Sequence, residues 1–173
     1  MTTRVLISFY CDDRPGVIEE LSGAIESAGG NWLDSQLSRL GGRFAGVLQA
    51  LIPRAAQSEL AEALAALESS GITATLTSAG DALAPVASVR RITLLGPDRS
   101  GIVHELTRAL HRAGFNVLSL ETTVETAPMS GEPLFRASAR IELLEGSRLD
   151  ELEWQLDAMA EAMTLEIDLL VEP

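Results

Sequence analysis

The chain has 173 residues, 46% of them hydrophobic and 22% charged, a composition that belongs to a globular protein and excludes a disordered one. Its net charge is −12, shared between residues 1–86 (5 Arg against 10 acidic residues) and residues 87–173 (8 against 15), a field that repels phosphate backbones and excludes direct nucleic-acid binding. All thirteen basic residues are arginine, which rules out lysine-dependent catalysis, and the lone Cys11 rules out an internal disulfide.

In chain order, a first strand places Ile7 and Phe9 on one face and Leu6, Ser8 and Tyr10 on the other. It breaks at Asp13-Arg14-Pro15-Gly16, and a helix follows whose apolar stripe is Val17, Leu21, Ala24, Ile25 and Ala28, with Gly29 as its C-cap. A second strand near Asn31–Ser38 turns through Gly41-Gly42 into a third, with Phe44, Gly46, Leu48, Ala50 and Ile52 as its inward row. Val47 and Leu51 on the opposite face predict that this face is covered, a hint of a homo-oligomer. A second helix over Ser58–Ser69 carries Leu60, Leu64 and Leu67, and a fourth strand spans Ile72–Thr77.

The chain then repeats itself. Asp98-Arg99-Ser100-Gly101-Ile102 follows Asp13-Arg14-Pro15-Gly16-Val17 at an offset of 98 − 13 = 85 residues, and Leu106, Leu110, Ala113-Gly114, Asn116 and Leu118 hold that offset. Such a period is too long for a solenoid unit and suits a small domain. In the second copy Ile92 and Leu94 face inward from the first strand. The second strand is Asn116–Thr123, and a longer Glu125–Pro133 hairpin containing Met129 is expected to meet a partner or cover a site. Phe135, Ala137, Ala139, Ile141 and Leu143 form the inward row of the third strand, whose outer face shows Arg136, Ser138, Arg140 and Glu142. The second helix opens at Ser147 with Asp150 three residues on, a capping pattern, and buries Leu152, Leu156, Met159 and Met163; Leu165–Val171 is the last strand. The expected fold is therefore α+β, two ferredoxin-like βαββαβ domains in tandem, with helices on one face of each antiparallel sheet. The domains are 1–79 and 90–173, with 80–89 as linker.

The strand-to-helix turns hold the chemistry. Asp13 and Asp98 stand where a carboxylate caps free helix N–H groups, and Gly16 and Gly101 let the backbone approach a ligand. A plain capped turn is the alternative. Asn31 and Asn116 each follow the helix exit, where an amide both donates and accepts; the alternative is an Asn placed for its tolerance of left-handed backbone.

The Asp-Arg-(Pro/Ser)-Gly turn, the amphipathic helix and the Gly-x-Asn exit resemble the ACT domain, a small-molecule-binding regulatory module. The resemblance covers both copies. It implies paired units with a ligand held between the turn of one and the Asn of its neighbour. Asp13, Arg14 and Gly16 would join Asn116, while Asp98, Arg99 and Gly101 would join Asn31. The family's serine-binding members have Asn in place of Asp13 and Asp98, and His in place of Cys11 and Gly96. An Asp there favours a ligand's ammonium and repels its carboxylate. The function implied is non-catalytic sensing of a small amino acid such as glycine, coupled to a protein partner such as a transcription factor in the control of amino-acid metabolism. The alternative is an interaction or dimerisation module with vestigial sites.

No enzyme signature is present. His104-Glu105 begins a zinc-protease-like string, but the next histidine is His111, seven residues on rather than four. No Gly-x-Ser-x-Gly elbow and no phosphate loop occurs. Cys11 has no nearby His in sequence, and Trp32 and Trp154 are expected to pack. No cofactor, metal or membrane contact is predicted. Without a signal-peptide pattern or a membrane-length apolar run, a cytoplasmic location is expected.

Overall fold

The computed structural model describes residues 1–79, 88–128 and 131–172. The expected linker over 80–89 and Met129 lie largely outside these. The chain divides into two compact units, Met1–Leu83 and Ala84–Pro173.

In the first unit, strand β1 (Thr2–Asp12) leads to helix α1 (Val17–Ser27), then to the hairpin of β2 (Asn31–Leu40) and β3 (Arg43–Pro53). A 3-10 turn (Arg54–Ala56), helix α2 (Gln57–Ala66), a second 3-10 turn (Leu67–Ser70) and β4 (Thr73–Ser78) complete it. All pairings are antiparallel, in the order β2-β3-β1-β4. The period-two pattern of β1 is realised as drawn: Val5, Ile7, Phe9 and Cys11 are buried, and Leu6, Ser8 and Tyr10 face the other way. Those residues pack with Val17, Leu21 and Ile25 of α1, Leu48, Ala50 and Ile52 of β3, and Leu60 and Leu64 of α2 in one core. Each such fully buried aliphatic side chain contributes roughly 1.5–3 kcal/mol through area removed from water.

The second unit repeats the plan with β5 (Val89–Pro97), α3 (Ile102–Ala113), β6 (Phe115–Thr126), β7 (Pro133–Leu143), α4 (Leu149–Met163) and β8 (Glu166–Val171), in the order β6-β7-β5-β8. Its core is separate and joins Ile92, Leu94, Leu106, Leu110, Ile141, Leu152 and Leu156, among others. Strands β6 and β7 pair as far as Thr126 with Pro133, so Glu125, Thr126 and Pro133 belong to the ladder and the connection is shorter than the sequence suggested.

Several expected details differ. Ser147 does not cap α4: Arg148 is the N-cap residue, with no side-chain cap. The Ser147 hydroxyl instead accepts from the Leu144 N–H and donates to the Gly114 carbonyl, tying the loop to the end of α3. Trp32 packs partly against the first core, but Trp154 is 70% exposed, at the side of α4 that borders α3. Within the single chain Val47 is 40% exposed. Both β2 and β6 carry a bulge, between Trp32 and Ser35 and between Val117 and Ser119, which no residue type in the sequence announced.

Candidate functional site

The two turns are built alike. Asp13 N–H donates to the Gly42 carbonyl (3.0 Å) and Asp98 N–H to the Pro133 carbonyl (3.0 Å), fastening each turn to its neighbouring hairpin. Neither aspartate caps its helix. Gly16 and Gly101 occupy the N-cap positions at φ 93° and 96°, and neither helix has a side-chain cap. The cause is the left-handed glycine: it turns the chain into the helix one residue before Val17 or Ile102 and leaves the aspartate three residues upstream, against the sheet. The first-turn N–H groups are consequently left without side-chain acceptors, with partial positive charge toward the turn.

Charge commitments separate the two copies. Asp13 pairs with Arg39 (3.2 Å), and Arg14 is held by Glu20 (2.6 Å) and by the Ser70 carbonyl (3.0 Å). Glu20 also accepts from the Ser70 hydroxyl at 2.6 Å. The hydrogen bond from Arg14, then that from Ser70, holds the Glu20 carboxyl below its ordinary value. In the second copy Glu105 pairs instead with Arg108 on the next turn of α3. The side chains of Asp98 and Arg99 make no hydrogen bond or ion pair among the described residues. The signal for this split was present in the sequence, since three residues after Glu20 stands Gly23, whereas three after Glu105 stands Arg108.

The asparagines are likewise unequal. Asn116 donates to Glu142 (3.3 Å), while the Asn31 amide makes no hydrogen bond among the described residues. Neither takes left-handed backbone; Gly29 (φ 65°) and Gly114 (φ 78°) do that, so tolerance of a helix exit does not explain the asparagines. Gly30 before Asn31 is required by close approach, because a Cβ there would lie 2.7 Å from Ile52 Cγ2 and 2.9 Å from the Ile25 carbonyl oxygen. Its counterpart is the buried Phe115, so the two exits are reached differently. Within one unit the turn and the asparagine sit at opposite ends of an 11- or 12-residue helix, roughly 16–18 Å apart, too far for one small amino acid to touch both.

An open recess of about 390 Å³ lies at the first turn, beside Arg14, Gly16 and Phe44. At the second, Ser100 and Gly101 border a groove of about 680 Å³ between α3 and α4, with Arg108, Arg112 and Trp154 along it. Elsewhere Cys11 is buried, donates weakly to the Phe44 carbonyl (3.6 Å), and has its thiol pushed up mainly by burial, which makes it a poor nucleophile. His104 and His111 are exposed on α3. Among the described residues no group of three or more His, Cys, Asp or Glu is placed to hold a metal, and no helix is long and apolar enough to cross a membrane.

Residues 3–77 match the family model of the ACT domain. A protein of unstated function from Galdieria sulphuraria is 27% identical, with a TM-score of 0.85 over 100% of both chains. A structure named "putative glycine cleavage system transcriptional repressor" is 20% identical, with a TM-score of 0.72 over 99% of this chain and 98% of its own. No curated protein matches the chain. Residues 3–77 thus match the ACT domain, and the second unit repeats the same strand order, so the ACT-type βαββαβ fold occurs twice in tandem.

Proposed function

We propose that this protein is a non-catalytic sensor of a small amino acid that modulates a protein partner, in the manner suggested by its likeness to a structure named for transcriptional repression. The observation that carries the reading is the set of uncommitted groups. Arg99 and the uncapped N–H groups of α3 suit a carboxylate, and Asp98 suits an ammonium; none of these is committed elsewhere among the described residues. A zwitterionic ligand asks for these groups together. At the equivalent turn of the first unit Asp13 and Arg14 are engaged in internal ion pairs, which favours a structural role for them. The −12 charge suits contact with a protein better than with an operator.

Thermal melting against a panel of amino acids tests this. A ligand at about 100 times its Kd stabilises by roughly 2.7 kcal/mol. The expected result is a shift with one small amino acid that disappears in Arg99→Gln and survives in Arg14→Gln. A panel without any shift would leave the interaction-module reading standing in its place. Coupling to the partner follows from the ligand's differential affinity for free and partnered protein.

A further inference from the structure

The helix layers of the two units differ in kind. Their buried stripes set the correspondence: Leu152, Leu156 and Met159 of α4 match Leu60, Leu64 and Leu67 at an offset of 152 − 60 = 92 residues, and α3 follows α1 at 85. Where α3 and α4 face each other, Trp154 therefore stands in the place of Glu62, and Arg108 and Arg112 stand in the places of Gly23 and Ser27. The first unit also ties its helices together. Arg14 donates to the Ser70 carbonyl (3.0 Å) and the Ser70 hydroxyl donates to Glu20 (2.6 Å), joining the start of α1 to the turn after α2. In the second unit Ala162 takes the place of Ser70 (162 − 92 = 70), and among the described residues no hydrogen bond joins the start of α3 to the end of α4.

The result is the open groove of about 680 Å³ along α3 and α4. Ala109, Ala158, Met159, Ala162 and Met163 line it, and Trp154, the bulkiest exposed apolar side chain among the described residues, stands beside them. A lone exposed apolar residue is ordinary, but an indole next to a contiguous apolar floor marks a contact surface. The carboxylates that border the groove are already committed, Glu105 to Arg108 and Glu151 to Arg148. Glu153 and Asp157 of α4 do not border it. Arg112 does, and its guanidinium makes no hydrogen bond or ion pair among the described residues, in a chain with 25 acidic residues against 13 arginines. Trp and Arg are the residue types that most often carry binding energy once a partner desolvates them.

We infer that this groove seats an amphipathic α-helix of a protein partner, with its apolar stripe toward Trp154 and a carboxylate toward Arg112. The form of the groove selects a helix. Both walls are helices, so no strand edge is offered; an extended peptide would leave its backbone N–H and C=O groups unpaired, whereas a helix satisfies its own. The 12 residues of α3 run about 18 Å, which matches a partner helix of about twelve residues with anchors one turn apart. Charge selects the flank. With the bordering carboxylates paired internally, the group left over is a cation, and a carboxylate on the partner complements it. The net charge of −12 repels a heavily acidic partner, so its acidic positions are few. A basic helix would be drawn to Glu153 and Asp157, away from the groove. The inference rests on the reading of this protein as one that acts through a partner. Ser100 and Gly101, in the turn assigned to the amino acid, form one end of the groove, so ligand and partner helix share a border.

Phage display on the full chain tests it, using amphipathic helices of about twelve residues with leucine fixed along one stripe and both flanks varied among Glu, Lys and Ser. The enriched peptide is then synthesised with a fluorescent label and titrated by anisotropy. Glu is expected to be enriched on one flank only. Trp154→Glu and Arg112→Ser, which install the first unit's residues, are each expected to weaken binding by at least about tenfold, while Glu153→Gln leaves it unchanged. Circular dichroism verifies that each variant is folded. Panning without enrichment of Glu overturns the inference, as does a peptide that binds either groove variant as tightly as wild type. A wild-type dimer in sedimentation velocity that Trp154→Glu dissolves also overturns it, because a second copy would then be the occupant. The melting panel reads the amino-acid site through Arg99, which does not border the groove, so failure of that site and failure of this one are distinguishable.

Discussion

Thr164 closes α4 with φ 58°, the one non-glycine residue at positive φ among the described residues. A β-branched side chain is strained there. The first unit meets the same requirement with Gly71, at φ 83°, and the bond that follows is equivalent: Ile72 N–H to the Leu67 carbonyl at 3.1 Å, Leu165 N–H to the Ala160 carbonyl at 2.9 Å. Thr164→Gly is therefore expected to stabilise the protein by about 1 kcal/mol, and Gly71→Thr to destabilise it by a similar amount, in urea unfolding followed by circular dichroism. A loss of stability in Thr164→Gly would mean that its hydroxyl or methyl has a role the backbone geometry hides. At this scale the sequence was legible wherever one residue type has one use. Gly16, Gly101, Gly29 and Gly114 were expected at turns and helix exits, and all four have positive φ. It was not legible where a residue has several uses. Asp13 and Asp98 read as helix caps, yet the left-handed glycine takes the cap position, and which cation an aspartate meets depends on Arg39 from a distant hairpin.

Elements were read from periodicity, and strands β1, β3, β5 and β7 appear with their inward rows as drawn because alternation alone decides which face is buried. The bulges in β2 and β6 were invisible, since a one-residue insertion beside a bulge is a property of pairing and not of composition. So was the way β8 is fastened. Glu172, just beyond its end, accepts from Arg140 of β7 and Arg91 of β5, and those hydrogen bonds, Arg140 first, hold its carboxyl below the ordinary 4.5. A carboxyl lowered on folding stabilises the native state above its unfolded value, and that contribution fades as pH falls from about 4.5 through the folded value. Glu172→Gln is thus expected to be less stable than wild type at pH 7, with the gap closing as pH falls below about 4.5. Urea midpoints measured at pH 7, 5, 4 and 3 report this directly. A gap that widens on acidification contradicts the assigned pairing.

At the scale of the whole molecule, salt weighs the net charge against the surface ion pairs. The Debye length falls from about 10 Å at 0.1 M to about 3 Å at 1 M ionic strength. A net charge of −12 opposes the compact state through self-repulsion, which screening removes, whereas exposed pairs such as Arg136–Glu125 lose only a small contribution. The urea midpoint is therefore expected to rise when sodium chloride is raised from 0.1 M to 1 M (about the range of those two Debye lengths). A midpoint that falls with salt would show that the ion pairs outweigh the net repulsion.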